Sequence, residues 1–135
     1  MLKYLLNKQV RIIKSIKIDF IRTKYLEKLN STNRLVTLIG ARGVGKTTLL
    51  LQYLKQNYTV GEYLYFSADD VYIINSSLYD IVDEFVRFGG KVVCVDEIHK
   101  YSNWANEIKT IYDSFPELTI RLSGSSMLNI LNEKF

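Results

Sequence analysis

A single cysteine, Cys94, excludes an intrachain disulfide in this sequence of 135 residues, and its place inside the apolar run KVVCVDE reads as core filler. The same scarcity suits a reducing cytoplasm, where the chain is expected to reside. No stretch approaches the ~20 apolar residues of a membrane-spanning helix. Charges also interrupt the N-terminal MLKYLLNKQVRIIKSIKIDF, so it lacks the apolar region of a signal peptide. There is no internal repeat, low-complexity tract or interdomain linker. With 47% apolar and 24% charged residues, one packed domain is expected rather than disorder.

Charge is unevenly shared. Residues 1–34 hold nine Lys/Arg and two Asp/Glu, a net of +7, whereas the rest holds nine and twelve, a net of −3. The basic character therefore belongs to a leader, residues 1–33, and not to the core, residues 34–135. A basic amphipathic leader can lie on nucleic acid or a membrane surface; a solvated helix face packed against the core explains the same pattern.

Apolar residues recur at helical spacing through Leu2, Leu5, Leu6, Ile12, Ile13, Ile16, Phe20 and Ile21, and again at Tyr25, Leu26 and Leu29. One or two helices thus precede the loop at 30–33. Strand and helix patterns then alternate: RLVTLIG, KTTLLLQYLKQN, EYLYFSA, SSLYDIVDEFVRF, KVVCVDE, NWANEIKTIYDSF and LTIRLSGSS, with SMLNILNEKF opening a further helix. A serine starts the second of these helices, Gly89 and Gly90 stop it, and the only proline, Pro116, follows the third. Such alternation predicts an α/β fold of βαβ units, a parallel sheet covered on both faces. The apolar runs at 35–39 and 92–95 read as central strands.

Gly40-Ala41-Arg42-Gly43-Val44-Gly45-Lys46-Thr47 fits G-x-x-x-x-G-K-[ST] between a strand and a helix, the context in which that pattern binds phosphate. Glycines let successive backbone N–H groups face one concavity, and the following helix adds its positive end. Lys46 would reach the β- and γ-phosphates, Thr47 would offer a hydroxyl to Mg²⁺, and Thr48 would contact the α-phosphate. Arg42 touches a phosphate or a partner, or is simply an exposed loop arginine.

Asp96 and Glu97 end the apolar strand of KVVCVDEIHKY. An aspartate at the carboxyl end of a buried strand can hold the hydration shell of Mg²⁺ opposite Thr47. Glu97, directed elsewhere by strand alternation, is free to orient or deprotonate a water. LTIRLSGSS places Ser123, Ser125 and Ser126 at the end of the next strand, and Ser125 is the first choice for a hydroxyl that meets the attacking water or the γ-phosphate.

Together, LIGARGVGKTTLL, YLYFSADD, VVCVDEIHKYSNWANEIKTIYDSF and IRLSGSS resemble the bacterial and archaeal AAA ATPase domain usually found in front of an uncharacterised C-terminal region. With RTKYLEKL the resemblance spans residues 22 to about 130. It implies a P-loop NTPase three-layer sandwich of strand order 5-1-4-3-2, and binding and hydrolysis of ATP with Mg²⁺. It further implies Lys46 and Thr47 as the Walker A pair, Asp96 and Glu97 as the Walker B pair, and Ser125 at the sensor position. His99 replaces a glutamine common in that family, Trp104 matches its tryptophan, and Asp69 and Asp70 match an acidic pair, expected here as solvated loop carboxylates.

A fifth strand beside residues 35–39, a helical lid and a C-terminal region cannot be drawn from the residues after Ser126. The order expected is therefore 1-4-3-2, in a fragment or truncated product, or in a subunit whose 35–39 edge is covered by the N-terminal helices, a second copy or a partner protein. Slow hydrolysis by the chain alone follows, since no arginine occupies a recognisable finger position. A nucleotide-dependent protein- or DNA-binding module without significant hydrolysis is the alternative. A small-molecule kinase is disfavoured by the lack of a basic lid and acceptor pocket.

Overall fold

A computed structural model describes residues 1–16, 23–40 and 45–125. The helical pattern around Phe20 and Ile21, loop residues Ala41, Arg42, Gly43 and Val44, and Ser126 with the helix expected after it lie outside the described residues.

Two helices come first, α1 (Leu2–Lys14) and α2 (Thr23–Leu29). Then follow β1 (Leu35–Ile39), α3 (Lys46–Asn57), β2 (Tyr63–Ser67), α4 (Val71–Ile74), α5 (Leu78–Arg87), β3 (Val92–Asp96), a 3-10 turn (Ile98–Lys100), α6 (Trp104–Ser114) and β4 (Thr119–Gly124). The strands form one parallel sheet in the order β1-β4-β3-β2, as expected.

Side-chain parity divides the core into two layers. Leu64, Phe66, Val93, Val95, Ile120 and Leu122 face α5 and α6. Val36, Leu38, Tyr63, Tyr65, Val92 and Cys94 face α2 and α3. All of β3 is buried, as a central parallel strand should be. β1 departs from that expectation. Val36 and Leu38 are buried but Leu35, Thr37 and Ile39 only half so, because among the described residues β1 has a strand neighbour on one side alone.

Capping chemistry accounts for the element ends. The Ser77 hydroxyl accepts from the Asp80 N–H at 3.1 Å at the start of α5. Gly89 closes the helix at φ 92, and a Cβ on Gly90 would stand 2.3 Å from the Phe85 ring. Two arginines satisfy carbonyls that would otherwise be stranded. Arg34 donates to Tyr112 O, Phe115 O and Leu118 O past the end of α6, with its guanidinium 4.0 Å from the Tyr112 ring centroid. Arg121, 2% exposed, donates to Leu29 O, Ser31 O, Asn33 O, Arg34 O and Ile120 O, pinning the turn between α2 and β1.

α1 covers the outer edge of β2, at the opposite side of the sheet from β1. Leu2, Leu5, Gln9 and Ile13 form its buried stripe. Gln9 takes the place of a peptide group from a further strand: its Oε1 accepts from the Tyr65 N–H at 2.8 Å and its Nε2 donates to Tyr63 O at 3.3 Å. Lys3, Arg11 and Lys14 stay exposed.

The acidic pair after β2 differs from the solvated carboxylates expected there. Asp69 is exposed, but Asp70 is 7% exposed and N-caps α4, a single turn that the sequence pattern did not reveal. It accepts from the Tyr72 N–H at 2.9 Å, from the Tyr4 hydroxyl at 2.9 Å and from Lys8 Nζ at 2.5 Å. A loop carboxylate thus becomes the joint between α1 and the end of β2.

Candidate functional site

Parallel strands bring their carboxyl ends to one rim, and parity decides which side chains meet there. Tyr65, Asp96 and Ser123 occupy the α3-facing positions of β2, β3 and β4. Thr47, on the first turn of α3, completes the group. Asp96, 3% exposed, accepts from the Tyr65 hydroxyl at 2.7 Å and, through short hydrogen bonds, from the hydroxyls of Thr47 and Ser123. Burial first, and then the Asp96 charge, push the Tyr65 phenol well above its ordinary pKa, so it stays protonated and donating.

Lys46 is the first residue of α3, entered from Gly45 at φ 81, a conformation that favours glycine. Its Nζ donates to Gly40 O at 2.8 Å and Gly124 O at 2.7 Å, at the ends of β1 and β4. Lys46 as a residue is 9% exposed and, among the described residues, its ammonium pairs with no carboxylate. A largely buried cation held only by neutral carbonyls, with one of its three donors left over, fits an anionic ligand. Thr48 is exposed on the same turn.

Glu97 is directed by a turn and not by the pleat. β3 ends at Asp96, and Glu97 adopts the left-handed conformation, φ 55 and ψ 42, with its N–H donating to Ser123 Oγ at 3.0 Å. Its carboxylate lies 3.3 Å from His99 Nε2, and His99 Nδ1 accepts from the Ser125 N–H at 3.3 Å. Lys46, Glu97, His99 and Ser125 line one cleft of about 410 Å³, together with Asp69, Ile74 and Lys100. Thr47 and Asp96 lie in an adjoining hollow of about 320 Å³ that Glu97 shares.

The rim therefore joins Lys46, Glu97 and Ser125 in one cleft and sets Thr47 against Asp96 beside it. Gly40 and Gly45 flank the loop, whose Ala41, Arg42, Gly43 and Val44 lie outside the described residues. Sequence reasoning missed Tyr65 altogether and ranked Ser123 below Ser125. Strand alternation, which gives each of them a face but not a register, was the available signal. Among the described residues no arginine lines the cleft: Arg34 and Arg121 are occupied by backbone carbonyls and Arg87 pairs with Asp83.

The donor set also suits a hard cation. Thr47 and Asp96 offer a hydroxyl and a carboxylate, the oxygen ligands Mg²⁺ prefers when phosphates and waters complete its shell. Among the described residues no cluster of three or more His, Cys, Asp or Glu could hold a metal by itself, and no helix is long and apolar enough to cross a membrane.

The chain is 32% identical over 117 residues to the uncharacterized protein MJ1637 of Methanocaldococcus jannaschii, which covers 79% of this chain and 24% of that protein. The structure of C. elegans PCH-2 matches its fold with a TM-score of 0.50 at 17% identity, over 92% of this chain and 36% of the other. The chain thus spans about a quarter of the curated relative and about a third of the solved one. A family model described as AAA domain matches residues 32–134. On that match, and on a parallel sheet ordered β1-β4-β3-β2, the chain belongs to the AAA domain family.

Proposed function

We propose that this chain binds ATP with Mg²⁺ and hydrolyses it to ADP and phosphate, slowly by itself and in step with a partner. The observation that carries this reading is the single cleft lined by Lys46, Glu97 and Ser125. Gly40, whose own N–H donates to Gly124 O, opens the phosphate-binding loop, backbone N–H groups of Ala41, Arg42, Gly43, Val44 and Gly45 receive the phosphates, Lys46 neutralises the β- and γ-phosphates, and Thr48 meets the α-phosphate. Thr47 and Asp96 would hold Mg²⁺ and its waters, and the ion would supply positive charge to offset that of the phosphates. Glu97 orients a water and accepts its proton, while the Ser125 hydroxyl meets the γ-phosphate or that water. Residues 1–33 act as the basic helical leader and residues 34–135 as the nucleotide-binding core.

Slowness follows from the lack of an arginine at the cleft. An arginine supplied from outside accelerates comparable reactions by about 10³–10⁵, and none of the described arginines lines the cleft. The side of β1 that has no strand neighbour among the described residues is the surface on which a second copy or partner protein would sit. Nucleic acid could meet the basic residues of 1–34 instead; that contact would weaken steeply with salt.

Calorimetric titration with ATP, ADP and Mg²⁺, paired with phosphate release, tests the reading. Glu97→Gln should bind ATP within about twofold of wild type and lose at least about 100-fold in release. Lys46→Ala should lose binding. Binding with no glutamate-dependent release would favour a nucleotide-dependent binding module, and no binding at all would overturn both.

A further inference from the structure

His99 is the only histidine in the chain, and it stands between the two ends of the proposed reaction machinery. It sits in the 3-10 turn that directly follows Glu97. β4 ends at Gly124, so Ser125 contributes the first N–H beyond the strand, and that N–H donates to His99 Nδ1 at 3.3 Å. A ring nitrogen that accepts a hydrogen bond carries no proton, so the neutral ring holds its proton on Nε2. That nitrogen faces Glu97 Oε2 at 3.3 Å, with the two side chains 22% and 29% exposed. Among the described residues His99 is the one polar partner of the Glu97 carboxylate. Its backbone has left the strand and is held at both ends, the N–H donating to Ser123 Oγ and the carbonyl accepting from the Lys100 N–H at 2.9 Å, so the ring bears on the side chain and not on the backbone.

We propose that His99 is a positioning residue whose ring ties the orientation of the Glu97 carboxylate to the end of β4, so that a displacement at Ser125 is transmitted to the base. The inference rests on the reading of Glu97 given above and adds a route by which contact at the γ-phosphate end of the cleft governs hydrolysis. An imidazole suits this task because it is rigid and offers one acceptor and one donor on opposite sides. A glutamine amide offers the same two functions across a similar span, whereas alanine and leucine offer neither.

Turnover and binding are measured separately on the full chain. His99→Ala should lower the hydrolysis rate about tenfold or more, as loss of orientation does, with the ATP dissociation constant within about twofold. His99→Gln should recover most of that loss, and His99→Ala should cost nothing further in a Glu97→Gln background. Undiminished turnover in His99→Ala, a glutamine variant no better than alanine, or independent effects of the two sites would overturn the proposal. The second readout needs no hydrolysis. In ¹⁵N-resolved NMR the Ser125 amide should shift on Glu97→Gln, and that response should vanish when the ring is removed. A Ser125 amide that still responds once the ring is removed overturns the bridge, and one that ignores Glu97→Gln in the presence of His99 overturns it even if His99→Ala fails to fold or the chain proves unable to hydrolyse ATP.

Discussion

Asp96 shows how a buried charge is made tolerable one donor at a time. Three hydroxyls from three elements, Thr47, Tyr65 and Ser123, hydrogen-bond to its carboxylate, and bonds to charged groups contribute about 1.5–3 kcal/mol each. Neighbouring Cys94 has no such role: burial pushes its thiol pKa well up, against a smaller opposing pull from Arg121, so it remains an inert apolar filler. Glu97 makes the opposite choice, holding a left-handed backbone at a residue with a Cβ. That conformation costs a non-glycine residue about 1 kcal/mol or more, and the extra unfolded-state freedom of glycine offsets part of the relief. Glu97→Gly is accordingly expected to raise unfolding free energy by about 0.5 kcal/mol in urea titrations while phosphate release disappears. A variant less stable than wild type would show that the glutamate side chain contributes more to the fold than its backbone strain removes.

Among the elements, α1 is the one whose place depends on polar contacts as much as apolar ones. Its Gln9 meets the β2 edge, and its Tyr4 and Lys8 meet Asp70. Burial alone would raise the Asp70 pKa, but hydrogen bonds from Lys8, the Tyr72 N–H and Tyr4 outweigh it and hold the group below its ordinary value. Lys8 is shifted upward by the same contact. A carboxylate depressed in the folded state contributes stability above its unfolded pKa of about 3.9, and that contribution is lost as pH falls through the lower folded value. Asp70→Asn should therefore destabilise the protein by about 1–3 kcal/mol at pH 7 and flatten the decline of stability below about pH 4. Thermal melts from pH 7 to 2.5 measure both; an unchanged acid slope would mean that other carboxylates, such as Glu62 held at about 2 by Lys91 and Thr59, dominate it.

At the scale of the molecule, the parallel sheet gathers its carboxyl ends on one rim and leaves Lys46 without a counter-charge among the described residues. Ligand that binds only the folded state stabilises it by mass action, about 2.7 kcal/mol at a hundredfold excess over the dissociation constant. ATP with Mg²⁺ should raise the melting temperature by several degrees, about 4 °C or more for a domain near this size. Chelating Mg²⁺ should reduce the shift, and Lys46→Ala should abolish it. Equal shifts with and without the chelator would remove Thr47 and Asp96 from the metal reading.

Local pattern was enough for the alternation of strands and helices, the entry into α3 from Gly45, the serine start and glycine stop of α5, and the acidic end of β3. Each rests on a few adjacent residues whose backbone preferences or apolar spacing act over one turn or one strand. Tertiary structure alone decided that Tyr65 and Ser123 converge on Asp96, since this depends on register and parity across three strands. It also decided the fate of Asp70 and Arg121: a polar residue is solvated or buried according to partners that lie far away in the chain. Periodicity likewise showed which face of α1 is apolar. It could not show that this face, with Gln9, meets the edge of β2, because an amphipathic stripe specifies burial and leaves the surface that provides it to the rest of the fold.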